Sequence, residues 1–112
     1  MPDTPLGRLR EICLALPETI ERQSHGEPAW FHRGRRQFAT FADHHHDDRV
    51  AFWCAAPPGA QEAVLARDPA RYFRPPYVGG RGWLGVWLDV GEIDWGFVEE
   101  LVGDAWRLMA SG

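Results

Sequence analysis

Arg33, Arg35 and Arg36 crowd one short stretch of the chain, and Arg71, Arg74 and Arg81 crowd another. The second group is interleaved with Tyr72, Phe73, Tyr77 and Trp83. Guanidinium forks match phosphate oxygens, and aromatic faces stack on bases. The chemistry this composition offers is contact with a nucleic acid. Its candidate residues are Arg33, Arg35, Arg36, Arg74, Tyr77, Arg81 and Trp83. The competing reading is plainer. The arginines would solvate exposed turns, and Tyr72, Phe73, Trp83 and Trp87 would pack beneath the loop, as strand aromatics more often do.

A second cluster, His44, His45 and His46 among Asp43, Asp47 and Asp48, has the side chains that bind transition metals. Consecutive histidines in a turn splay apart, and no distant partner stands at diagnostic spacing. A solvated hairpin tip with no bound metal is expected. Catalytic signatures are missing: there is no GxSxG, no HExxH and no cysteine with an evident histidine partner. GGRG at 79–82 leads into a strand rather than a helix, so it does not form a phosphate cradle. The expectation is a non-enzymatic protein without a cofactor.

A chain of 112 residues, 45% hydrophobic and 25% charged, suits one globular domain spanning 1–112. All twelve basic residues are Arg, and the net charge is −4. The charge is uneven. Residues 1–88 hold eleven Arg against ten acids, whereas residues 89–112 hold one Arg against six. An acidic last segment argues against strong nonspecific DNA binding but leaves room for a local basic patch. Cys13 and Cys54 follow no CxxC or framework pattern, MPDTPLGRLR lacks an apolar signal core, and no run could span a membrane. A cytoplasmic protein is expected.

Elements to position these residues follow from local pattern. Thr4 and Pro5 open a helix that carries Leu6, Leu9, Ile12, Cys13 and Leu16 and stops at Pro17. Strands are expected at 19–25, 28–33, 36–42 and 49–55, with a tight turn at Arg33-Gly34-Arg35. Phe38 and Phe41 cannot share a face in a regular strand, so a bulge or two-sided burial is expected. A helix follows at 60–67, then a helical turn in PARYF, a long loop, and a strand at 83–89. There Leu84, Val86 and Leu88 alternate with Trp83, Gly85 and Trp87. Asp94 caps a last helix with Val98, Leu101, Val102, Ala105, Leu108 and Met109 inward, and Glu99, Glu100, Gly103, Asp104 and Arg107 outward. The order α-β-β-β-β-α-β-α makes an α+β domain, an antiparallel sheet with helices on one face.

In that order, LPETIE, HGEPAWFHRGRRQFATF, RVAFWC, GWLGVWLD and DWGFVEELVGDAWRLM resemble the MmcQ/YjbR family of small bacterial proteins. The resemblance implies a fold similar to the double-wing DNA-binding domain of a phage transcription factor, MotA, and with it a DNA-binding role. The architecture is also similar to secretion chaperones, which bind proteins. Many family members carry Lys where this chain has Trp53 and Gly80; Arg81 stands beside the second position. Two expectations result. One is a nucleic-acid-binding domain whose arginines face away from the acidic last helix. The other is a protein-interaction domain using exposed aromatics and that helix.

Overall fold

The Thr4 hydroxyl accepts the Gly7 amide at 3.0 Å, and Pro5 sits at the first helical position, so α1 runs Pro5–Leu14. The structure is a computed structural model that describes residues 4–43 and 49–111. The His44–His46 cluster lies outside the described residues.

Four strands follow as a meander: β1 (Thr19–Ser24), β2 (Glu27–His32), β3 (Arg36–Asp43) and β4 (Val50–Cys54). His25 and Gly26, at φ +54° and +83°, close the first hairpin, and Arg33 and Gly34, at +56° and +70°, close the second. Paired left-handed residues are what a twisted two-stranded ribbon favours in its turn. Next come α2 (Ala60–Arg67), β5 (Tyr72–Phe73), a 3-10 turn (Gly79–Arg81), β6 (Leu84–Trp87) and α3 (Trp95–Ala110). The Asp94 carboxylate accepts the Phe97 amide at 3.0 Å and caps α3. All neighbouring strands are antiparallel, in the order β1-β2-β3-β4-β6-β5.

The α+β class and the antiparallel sheet match expectation, with one added strand. The turn foreseen in PARYF is confined to residues 69–71. Tyr72 and Phe73 instead pair with Val86 and Gly85, because the edge of β6 offers unpaired backbone groups that a helical turn could not use.

Of the two arrangements open to Phe38 and Phe41, β3 takes the bulge. Trp30 pairs with Ala39 but Phe31 pairs with Gln37, leaving Phe38 as the extra residue on β3. Phe38 is fully buried and Phe41 nearly so.

Strand partners share a face, so register sorts the side chains. Glu21, Trp30, Ala39, Cys54 and Leu84 form one row. It lies under the helices: Arg10 of α1 grips Glu21 at 2.8 Å (Nε–Oε1) and 2.9 Å (Nη2–Oε2), and Trp30 Nε1 donates to the same carboxylate at 2.9 Å. Phe41, Phe52, Val86 and Tyr72 make the next row on that face, where Tyr72 meets Phe97 of α3 edge-on. The residues between them, Arg22, Ala29, Thr40, Trp53, Gly85 and Phe73, line the far face, away from α1 and α3.

Two expectations about α3 need correction. Gly103 is buried rather than outward, and the Arg107 guanidinium lies 3.7 Å from where a Cβ would project. Leu108 is half-buried, since the helix runs past the sheet in its last turn. Val98, Leu101, Val102 and Ala105 are buried, as are Leu84, Val86 and Leu88. Among the described residues, no helix is long and apolar enough to cross a membrane.

Candidate functional site

The loop between β5 and β6 is held rather than loose. Gln61 of α2, 5% exposed, donates its amide N–H to the carbonyls of Gly79 at 2.9 Å and Trp83 at 2.6 Å. One buried side chain thus pins both ends of the 3-10 turn. Arg74 lies across that turn, and a Cβ at Gly79 would come within 2.6 Å of its Cγ, so only glycine allows the approach. Pro75 and Pro76 stiffen the entry. Val78 N–H donates to the Pro76 carbonyl at 2.6 Å in a three-residue turn centred on Tyr77. Tyr77 sits at φ +66° and is 79% exposed. A non-glycine residue in that region costs roughly 1–3 kcal/mol and persists only where its surroundings dictate it.

This loop roofs one side of a cleft of about 570 Å³ on the far face of the sheet. Tyr77, Val78, Arg81 and Trp83 come from the loop. Gln37, Thr40 and Trp53 come from β3 and β4, while His25 reaches it from the β1–β2 turn and Glu27 from the start of β2. Trp53 is 9% exposed and Trp83 is 5% exposed, so both show the cleft an edge and bury the rest. The Arg81 guanidinium stands 5.7 Å from the Trp83 ring. Glu27 accepts the Asp43 amide at 3.0 Å, which offsets part of its charge.

The far face carries further cations on aromatic rings. Arg22 lies 4.1 Å from the Phe31 ring centroid, and Arg49 lies 3.9 Å from that of Trp87. The Arg49 fork also holds Asp89 through two 3.0 Å contacts. The exposed acids Glu99 and Glu100 belong to α3, on the other side of the sheet.

The candidates read from sequence therefore separate. Tyr77, Arg81 and Trp83 converge on the cleft, with Arg74 flanking the loop. Arg33 is engaged elsewhere: it pairs with Glu18, Nη2 to Oε1 at 3.2 Å, and its hydrogen bond holds the Glu18 carboxyl below its usual range. Arg35 is exposed at the hairpin tip. Arg36 corrects an expectation. It does not face away from the last helix; pairing with His32 turns it toward α3, where its Nη1 donates to the Met109 carbonyl at 3.1 Å. A guanidinium there satisfies an otherwise orphaned carbonyl at the negative end of the helix. Trp83 is a packed residue with one lining edge, as the plainer reading held.

Sequence reasoning missed Gln37, Thr40, His25 and Gln61, and treated Trp53 only as a departure from the family. Alternation alone puts Thr40 and Gln37 on opposite faces of a regular strand. The bulge at Phe38 brings them to the same face.

Among the described residues no three His, Cys, Asp or Glu side chains could jointly hold a metal ion. Cys13 on α1 and Cys54 on the sheet beneath the helices are fully buried, and burial pushes both thiols up, Cys54 to about 12. Neither borders the cleft.

The protein is thus a small α+β domain: a six-stranded antiparallel sheet, backed by α1 and α3, with a cleft on its other face. A family model described as YjbR matches residues 14–108, and the chain belongs to that family. Its fold is similar to the crystal structure of the Deinococcus radiodurans protein DR2400, which carries domain DUF419. The TM-score is 0.77 at 18% identity, over 96% of this chain and 80% of that one. No curated protein matches the chain.

Proposed function

We propose that this protein is a non-enzymatic nucleic-acid-binding domain of the cytoplasm, and that it binds through the far face of its sheet. The observation that carries the reading is the meeting of cations and aromatic rings on that face. Arg22 lies there over Phe31, and Arg81 lines a cleft bordered by Tyr77, Trp53 and Trp83, while Glu99 and Glu100 sit on α3 behind the sheet. Phosphate is drawn to guanidinium, so these arginines offer a local site for a polyanion even on a chain of net charge −4. Aromatic edges beside cations supply the stacking component that single strands exploit.

The test is fluorescence anisotropy with labelled single- and double-stranded oligonucleotides from low to physiological salt. Binding that weakens steeply with salt is expected. Absence of binding at low salt by the folded protein refutes the reading and promotes the protein-interaction alternative.

A further inference from the structure

We infer that the cleft accepts a single nucleotide unit, with its base inside against Trp53 and Thr40 and its phosphate at Arg81. The inference deepens the nucleic-acid reading and rests on it for the chemistry of the ligand. Four features of the cleft converge on this class of molecule.

Size is the first. A volume of about 570 Å³ lies within the roughly 300–1,000 Å³ typical of small-molecule sites. The second is the lining: Trp53 from the sheet and Trp83 from the loop present apolar edges and Thr40 a short side chain, which leaves depth for a planar ring. The third is polarity. Arg81 is the arginine on the lining and comes from the loop, while Glu27 begins β2. An anionic group is favoured beside Arg81 and disfavoured beside Glu27, so the charge of the lining favours one orientation of a bound nucleotide. The fourth is hydrogen bonding. The Gln37 amide lines the cleft, offers a donor and an acceptor, and has no side-chain partner among the described residues. Glu27 can accept from an exocyclic amine. Together they suit a base edge that carries both an amino group and a ring nitrogen, as adenine does.

A nucleotide unit comes either free or within a single strand, and the same experiment separates these sources. Adenosine 5′-monophosphate, adenosine and inorganic phosphate are titrated while tryptophan fluorescence is read, and a labelled single-stranded oligonucleotide is followed by anisotropy. The variants are Thr40→Trp, which fills the cleft, Gln37→Leu and Arg81→Ala, each checked for a native melting transition. The monophosphate is expected to bind saturably, at least tenfold more tightly than adenosine, with phosphate alone inert. Arg81→Ala should erase the preference for the monophosphate, and Thr40→Trp should abolish binding. Should Thr40→Trp fail to fold, Gln37→Leu takes its place, with an expected loss of tenfold or more.

If oligonucleotide binds, the monophosphate does not, and Thr40→Trp and Gln37→Leu bind the oligonucleotide as the unaltered protein does, the cleft inference falls and the far-face reading stands. Saturable monophosphate binding without oligonucleotide binding leaves the cleft assignment standing, with a free nucleotide as ligand, and removes the far-face reading. Oligonucleotide and monophosphate binding that are both lost in Thr40→Trp and Gln37→Leu support both. Failure of both ligands overturns both.

Discussion

The ring of Phe73 lies flat across the backbone of Gly85, so close that a Cβ there would stand 2.6 Å from Phe73 Cε1. The same ring stacks on Trp87 with centroids 4.1 Å apart. This contact closes the β5 edge of the sheet and explains why the middle of β6 carries a residue with no side chain. It also ties β5 to the segment that enters the cleft loop, since Arg74 follows Phe73 directly.

Gly85→Ala is therefore expected to destabilise the protein by about 1–3 kcal/mol, the usual cost of overpacking a filled site. Urea denaturation measures it. Pairing the change with Phe73→Ala should give less than the sum of the two single losses, because the second removes the clash. Additive losses would mean that the ring does not lie where it is placed.

Leu101 is buried and Leu108 only half-buried on the same helix. Leu101→Ala should cost roughly 2–5 kcal/mol, as for a packed leucine. Leu108→Ala should cost clearly less. Equal denaturation midpoints for the two variants would contradict the register of α3 against the sheet.

Part of the acid sensitivity should trace to Glu21. Its carboxyl sits below its usual range of about 4.5, chiefly through the Arg10 hydrogen bond, opposed by burial and aided by Trp30. A depressed folded value means that the stabilisation is complete above the unfolded pKa and lost as pH falls through the folded one. The melting temperature should then decline as pH drops below about 4.5. In Glu21→Gln that acid limb should be shallower. An identical slope in both proteins would remove Glu21 from the account.

The two cysteines should be inert. Both are buried, and their raised pKa values leave little thiolate at pH 8. Ellman's reagent should detect neither thiol in the native protein and both in denaturant. For Cys54 the sign is the reverse of the acid case: stability should be lost as pH climbs from about 9 toward about 12, because only the unfolded chain can ionise there freely. Rapid native labelling at pH 8 would show that the core opens.

Salt dependence should sort the arginines. Arg22→Ala and Arg81→Ala should each lower the slope of log affinity against log salt by about one, the mark of a lost phosphate contact. Arg33→Ala should leave the slope unchanged, because its partner is Glu18. Arg36→Ala should leave it unchanged too, yet lower the melting temperature, because its partner is the end of α3. The pair Glu99→Gln and Glu100→Gln should alter binding little. A slope carried by Arg33 and Arg36 would put the interface at the hairpin tip instead.

Much of the scaffold is legible in the chain because its causes are local. Thr4-Pro5 and Asp94 start helices through their own caps. α2 spans residues 60–67 as its pattern indicates. The spacing of Phe38 and Phe41 announces a bulge or two-sided burial, since a two-residue period cannot place both on one side, and the structure takes the bulge. β5 is not legible, because two residues carry no period of their own and become a strand only when β6 lies beside them.

The candidate site divides along the same line. Reading along the chain shows which side chains can do chemistry: Arg74, Tyr77, Arg81 and Trp83 in one loop, Arg33, Arg35 and Arg36 in one short stretch, and six acids in the last segment. Which of them meet is set by packing. Arg33 is spent on Glu18 and Arg36 on Met109, partners 15 and 73 residues away. Thr40, Gln37 and Trp53 join Tyr77 and Arg81 because a single extra residue in β3 shifts register against β2, and because Gln61 pins the loop above them. Composition shows the groups, but which face a strand residue takes depends on pairing with other strands, and pairing is settled only when the whole sheet packs.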